Sequence, residues 1–164
     1  MKIQLRKPVL SDAKRYLEIL SHSEFYYFPA KPKTVKDEKD FLRKSRKLEK
    51  DGAQYNFAVM ANGRHVGGAG IKINQQYPYV CEIGYFVDRK YWNKGISTKA
   101  VGLLEKFITK KQDIVRIEIF MAKENIGSRK VAIKSGYKKE GLMKKRLKIG
   151  DKFHDCWLYA KIMK

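Results

Sequence analysis

Cysteine is scarce in this chain. Cys81 and Cys156 are its only two, they lie in apolar stretches, and their spacing suits no metal. That excludes a disulfide-stapled scaffold and reads as two small buried hydrophobes. The three histidines, His22, His65 and His154, are scattered, so no metal cluster can be assembled from them and no metal is expected. Long hydrophobic runs are also missing. No segment approaches the ~20 apolar residues of a membrane span, and the opening MKIQLRKPVLSDAK has no signal-peptide core. The expectation is a cytoplasmic protein with no membrane partner. Acidic residues are few: 17 against 37 basic ones, a net charge of +20. Such a balance favours anionic partners, whether nucleotides, CoA, RNA or acidic protein segments. The lysines are spread along the chain rather than blocked, so an ordinary solvated basic surface explains them equally well. No RNA-binding motif is present, and cations interleave with aromatics only around residues 85–92.

What is present is enough apolar material for a core. Hydrophobic residues make up 43 % of the 164 positions, which rules out general disorder and suits one domain over residues 1–164. Residues 1–6 alternate weakly as a first strand. Ser11 is placed to cap a helix through Leu20, with Ala13, Tyr16, Leu17 and Leu20 on one face. Four adjacent aromatics, Phe25 to Phe28, cannot all enter one core, so some of them should line a pocket or form a lid. Thr34 and Asp37 resemble a capping box that opens a second helix, with Phe41, Leu42, Ser45 and Leu48 inward. Asn62-Gly63 is a two-residue hairpin signal between strands at 54–60 and 64–73. A strand at 80–87, an apolar helix from Ile96 to about 110, a strand at 114–121, a short helix ending at Gly136 and a hairpin around Gly150-Asp151 complete the chain. The order β-α-α-β-β-β-α-β-α-β-β predicts a mixed α/β plan, antiparallel first and then parallel across the central helix.

The most informative stretch is EIGYFVDRKYWNKGISTKA, residues 82–100. A β-branched and aromatic strand breaks into a basic turn and re-forms as a helix at Lys94-Gly95-Ile96-Ser97-Thr98. Several unpaired N–H groups then converge where the helix dipole is positive, an arrangement that seats an anion, commonly phosphate.

That run, followed by ENIGSRKVAIKSGYKKEG at 124–141 and GDKFHDCWLYA at 150–160, resembles the GNAT superfamily of acetyl-CoA-dependent N-acetyltransferases, and within it the RimJ/RimL branch. The resemblance spans nearly the whole chain. It implies a mostly antiparallel sheet of about seven strands flanked by about four helices. It also implies acetyl-CoA as cosubstrate, an amine acceptor and a monomer or homodimer. The family's loop, Gln/Arg-x-x-Gly-x-Gly/Ala, falls on Trp92, Asn93, Lys94, Gly95, Ile96 and Ser97. Only Gly95 keeps the pattern strictly, but backbone donors do not depend on side-chain identity. Thr98 continues the seat, and Arg89, Lys94 and Lys99 are candidate phosphate cations.

By the same resemblance Tyr85 and Val87 present backbone groups to the pantetheine arm, and Glu82 lies near the thioester as candidate base. A Glu paired with a surface lysine is the competing reading of Glu82. Asn125 and Ser128 match the branch's Asn-x-x-Ser, implied to hold the arm and to reach the sulfur as proton donor. Both types also suit helix capping. The tyrosine acid of other GNAT enzymes is replaced by Ala132, and Leu147 stands where some RimL-like enzymes carry a Glu. Asp155 reads as structural. The acceptor is expected to be a protein N-terminal α-amine presented near RNA or the ribosome. A polyamine or other small amine is the alternative, and an inactive basic RNA-binding module is the rival.

Overall fold

The computed structural model describes residues 1–163. Strand β1 (Ile3–Arg6) leads into helix α1 (Ala13–Leu20) and helix α2 (Val35–Lys50). Strands β2 (Gln54–Ala61), β3 (Arg64–Ile73) and β4 (Val80–Val87) follow. Helix α3 (Ile96–Lys111), strand β5 (Arg116–Ala122), helix α4 (Ile126–Lys134) and strands β6 (Lys138–Ile149) and β7 (Lys152–Ile162) close the chain. One seven-stranded sheet runs β1-β2-β3-β4-β5-β7-β6. Every pairing is antiparallel except β4 with β5, which the α3 crossover joins.

Local chemistry sets most boundaries. Asn62 and Gly63 turn the β2–β3 hairpin with φ of 48° and 78°, the geometry a two-residue turn demands. Thr34 Oγ1 accepts from the Asp37 N–H at 3.1 Å, and Asp37 accepts from the Thr34 N–H at 2.8 Å, a reciprocal capping box. Gly136, at φ 83°, lets the chain leave α4 for β6.

The sheet carries two different faces. Tyr55, Val59, Val66, Ile71, Cys81, Ile83, Ile117 and Ile119 form the main core with Ile96, Ala100, Val101, Leu104 and Ile108 of α3. On the other face α1 packs on β3 and α2 on β2. There Phe86 meets Tyr16, Phe25 and Phe28 edge-on.

Three details depart from the sequence expectations. Ser11 does not cap α1: a 3-10 turn at Leu10–Asp12 precedes it, and Asp12 accepts from the Val9 N–H at 2.8 Å and from both Arg6 nitrogens at 2.7 Å. That turn rotates α1, so Ile19 is buried where Leu17 was expected, and Leu17 is only half-buried. In α2 the inward face is Glu38, Leu42 and Ser45, leaving Phe41 43 % exposed. Ser45 accepts from the Asn56 amide of β2 at 2.6 Å, and this polar contact fixes the helix rotation.

Gly68 is required where Phe86 crosses β3. A Cβ there would stand 2.6 Å from the Phe86 ring and 3.3 Å from Tyr16. Gly68→Ala should therefore cost about 1–3 kcal/mol by overpacking, read as a lower urea midpoint with an unchanged slope.

Candidate active site

Strand β4 decides the geometry. It pairs with β5 only from Val80 to Glu82, against Arg116 to Glu118. Beyond Glu82 it stays on β3 to its end, while β5 stays on β7 to Ala122. The two central strands therefore diverge. The Asp88 N–H donates to the Val66 carbonyl at 2.8 Å, so strand alternation turns the main-chain groups of Tyr85 and Val87 away from β3 and into the gap.

At the wide end the chain makes a 3-10 turn at Arg89–Tyr91 and enters α3. Asp88, 3 % exposed, anchors it: its carboxylate accepts from the Lys90 N–H at 3.0 Å and from Arg15 at 2.5 Å. The Trp92 indole N–H donates to the Val87 carbonyl at 2.6 Å. Asn93 and Gly95 adopt left-handed φ of 60° and 72°, which asparagine tolerates and glycine favours. No side chain caps α3. Its first internal bond runs from the Lys99 N–H to the Gly95 carbonyl at 3.1 Å. The amides of Asn93, Lys94, Gly95, Ile96, Ser97 and Thr98 thus have no acceptor among the described residues. Six orphan donors at the positive end of a 16-residue helix form a strong anion seat.

The cations expected around that seat are mostly engaged elsewhere. Arg89 is ion-paired with Glu24. The Lys94 ammonium donates to the Lys90 carbonyl at 3.2 Å, and Lys99 lines a groove with Lys2, Gly102 and Lys106. The backbone, rather than a fixed side-chain cation, supplies the seat.

Across the gap, α4 begins at Asn125, whose Oδ1 accepts from the Ser128 N–H at 3.1 Å. Asn125 therefore fills the capping role open to it. The Tyr85 hydroxyl lies 3.1 Å from Ser128 Oγ and 3.2 Å from the Ser128 carbonyl, bridging β4 to α4. Burial pushes the Tyr85 hydroxyl up to about 12. Sequence reasoning assigned Tyr85 only its backbone; its side-chain bridge depends on the strand–helix distance, which no local pattern encodes.

Glu82 stands where the strands part, on the face opposite Cys81 and Ile83. It is half-buried and has no hydrogen-bond or ion-pair partner among the described residues. No lysine among the described residues pairs with it. Burial raises its pKa above the ordinary carboxylate value; Lys72 and Arg146 oppose that rise and Glu118 adds to it. Glu118 was missed in the sequence, although Arg116-x-Glu118-x-Phe120 alternates onto Glu82's face. Arg146 is brought in by an irregularity of β6 between Met143 and Leu147 and lies 4.9 Å over the Phe120 ring. Asp155 supports that irregularity, accepting from the Lys145 N–H at 2.8 Å.

The aromatic segment splits between core and surface. Phe25 is buried and Tyr26 exposed. Tyr26 and Tyr27 pack edge-on to His154 of β7 at 5.7 and 5.5 Å. No helix among the described residues is long and apolar enough to cross a membrane, and no group of residues among them suits a metal ion.

Comparison with known proteins agrees with this geometry. The model of the acetyltransferase (GNAT) domain matches residues 2–138. A Bacillus subtilis protein named "Probable N-acetyltransferase YjcK" is 33 % identical over 70 % of this chain, and the match spans 64 % of that relative's length. Ribosomal-protein-S5-alanine acetyltransferase from Vibrio fischeri superposes with a TM-score of 0.86 at 27 % identity, over 99 % of this chain and 93 % of that one. RimJ from Mycobacterium smegmatis, solved in complex with CoA-disulfide, superposes with a TM-score of 0.83 at 26 % identity, over 98 % of this chain and 81 % of that one.

Proposed function

The chain belongs to the GNAT acetyltransferase family, and we propose that it transfers the acetyl group of acetyl-CoA to the α-amine of a protein N-terminus. The observation that carries this reading is the six orphan amides at the start of α3, at the wide end of the gap whose narrow end holds Glu82, a carboxylate with no partner among the described residues. Residues 93–98 suit a diphosphate. The Tyr85 backbone and the Asn125 cap line the way inward. Bound there, acetyl-CoA supplies an activated acyl group.

The chain's own groups do the rest. An amine with a pKa of ~8–10 is largely protonated at neutral pH. Glu82, in no ion pair among the described residues and with its pKa raised by burial, takes its proton directly or through one water. The Tyr85 N–H points into the gap and is placed to stabilise negative charge developing at the carbonyl oxygen. The Ser128–Tyr85 pair gives the leaving sulfur a hydrogen bond. A phenol held near 12 gives up its proton less readily than a thiol of pKa ~8.5, so sulfur departs as thiolate rather than being protonated by this pair.

A protein N-terminus is preferred to a polyamine because the chain's net charge of +20 repels a polycation. A panel of peptides and amines, read by release of free CoA thiol, tests this. Peptide N-termini should exceed spermidine in kcat/KM by at least about tenfold; spermidine as the faster substrate would overturn the charge argument.

A further inference from the structure

Glu82 is not the only carboxylate on the sheet face where the strands part. Glu118 is its direct partner in the last pair of the β4–β5 ladder, so both side chains project from one face of adjacent strands, ~4.8 Å apart at the backbone. The like charge of Glu118 adds to the rise in the Glu82 pKa. Yet their surroundings differ sharply. Glu82 has no hydrogen-bond or ion-pair partner among the described residues, whereas Glu118 accepts from Arg116 Nε at 2.6 Å. The other two nitrogens of Arg116 form a fork on Glu140 of β6, at 3.0 and 2.5 Å. The Arg116 and Glu118 side chains are only 24 % and 23 % exposed, so solvent does not fully screen them. The remaining charges bearing on Glu82 are Lys72 of β3 and Arg146 of β6.

We propose that Arg116 and Glu118 are positioning residues for acetyl transfer: Arg116, braced by Glu140, fixes the Glu118 carboxylate on the strand beside Glu82, where its negative charge favours the protonated form of Glu82. The inference rests on reading Glu82 as the base. Removing the Glu118 charge lets Glu82 ionise at lower pH. Removing Arg116 leaves the Glu118 charge uncompensated beside Glu82, so Glu82 ionises at higher pH. The two substitutions therefore act in opposite directions, which loss of packing would not produce.

The test pairs Glu118→Gln with Arg116→Met. Each is followed by the pH profile of kcat/KM and by NMR titration of 13C-labelled glutamate carboxylates, with the Glu82 signal assigned through Glu82→Gln. On the acidic limb, rate relative to each enzyme's own plateau should rise about 3–10-fold for Glu118→Gln and fall by a similar factor for Arg116→Met. The Glu82 signal should move in the same opposite directions. Should Arg116→Met fail to fold, Arg116→Lys keeps the charge without the fork and should displace both readouts part of the way. A Glu82 signal that titrates identically in the parent and the folded variants overturns the coupling, whatever the enzyme's activity. A signal that moves while the rate profile stays fixed overturns instead the assignment of Glu82 as base.

Discussion

Glu82→Gln should lower kcat by about 10²–10⁴-fold, the usual contribution of a positioned general base, while acetyl-CoA affinity stays within about twofold because the substitution does not touch the α3 amides. The side chain keeps its shape and loses only the ability to take a proton. Folding should not suffer. Burial raises the Glu82 pKa, so the fold favours the protonated carboxyl. The resulting stability is present below the unfolded-state pKa and lost as pH rises through the folded value. A neutral Gln avoids that loss, so at pH 8 the variant should melt no lower than the parent. Steady-state kinetics, calorimetric titration with CoA and melting at pH 5 and pH 8 read the three parts separately. A kcat within threefold of the parent would remove Glu82 from the chemistry.

The second large effect is expected at Ser97, in the uncapped first turn of α3. A glutamate there sits at the positive end of the helix dipole and should stabilise the fold by roughly 0.3–1 kcal/mol. The same charge would face the diphosphate. A unit pair near 4 Å is worth about 4 kcal/mol at an effective dielectric of ~20. Allowing for screening, Ser97→Glu should weaken acetyl-CoA binding by roughly 30–200-fold. Ser97→Ala retains the backbone donor and should change affinity by less than about threefold. Stability and affinity moving in opposite directions would separate an anion seat from ordinary helix packing. If both alanine and glutamate bind acetyl-CoA like the parent, the seat lies elsewhere.

Much of the fold was legible because its signals are local. The Asn62-Gly63 turn, the Thr34/Asp37 capping box and the glycine stops are settled within a few residues, and the order of elements follows from them. Helix rotation was less legible. Phe41 satisfies a helical apolar stripe and Glu38 does not, yet with the Ser45–Asn56 bond to β2 formed it is Glu38 that lies inside. At the site, glycine and polar turn residues disclosed the anion seat, since a strand–loop–helix junction exposes amides whatever its side chains are. The contacts across the gap were hidden. Tyr85 reaching Ser128, Trp92 taking the Val87 carbonyl and Glu118 standing opposite Glu82 all depend on strand register and on the angle at which β4 leaves β5. Those are set by the whole sheet, including Arg146 carried in by the irregular stretch of β6.

Titration of the 15N-labelled protein with acetyl-CoA tests the central claim most directly. Saturable shifts and slowed exchange confined to the amides of residues 93–98, with smaller changes at Tyr85 and Ser128, are the predicted result. Absence of binding, or shifts gathered instead along the Lys2–Lys106 groove between β1 and α3, would contradict it.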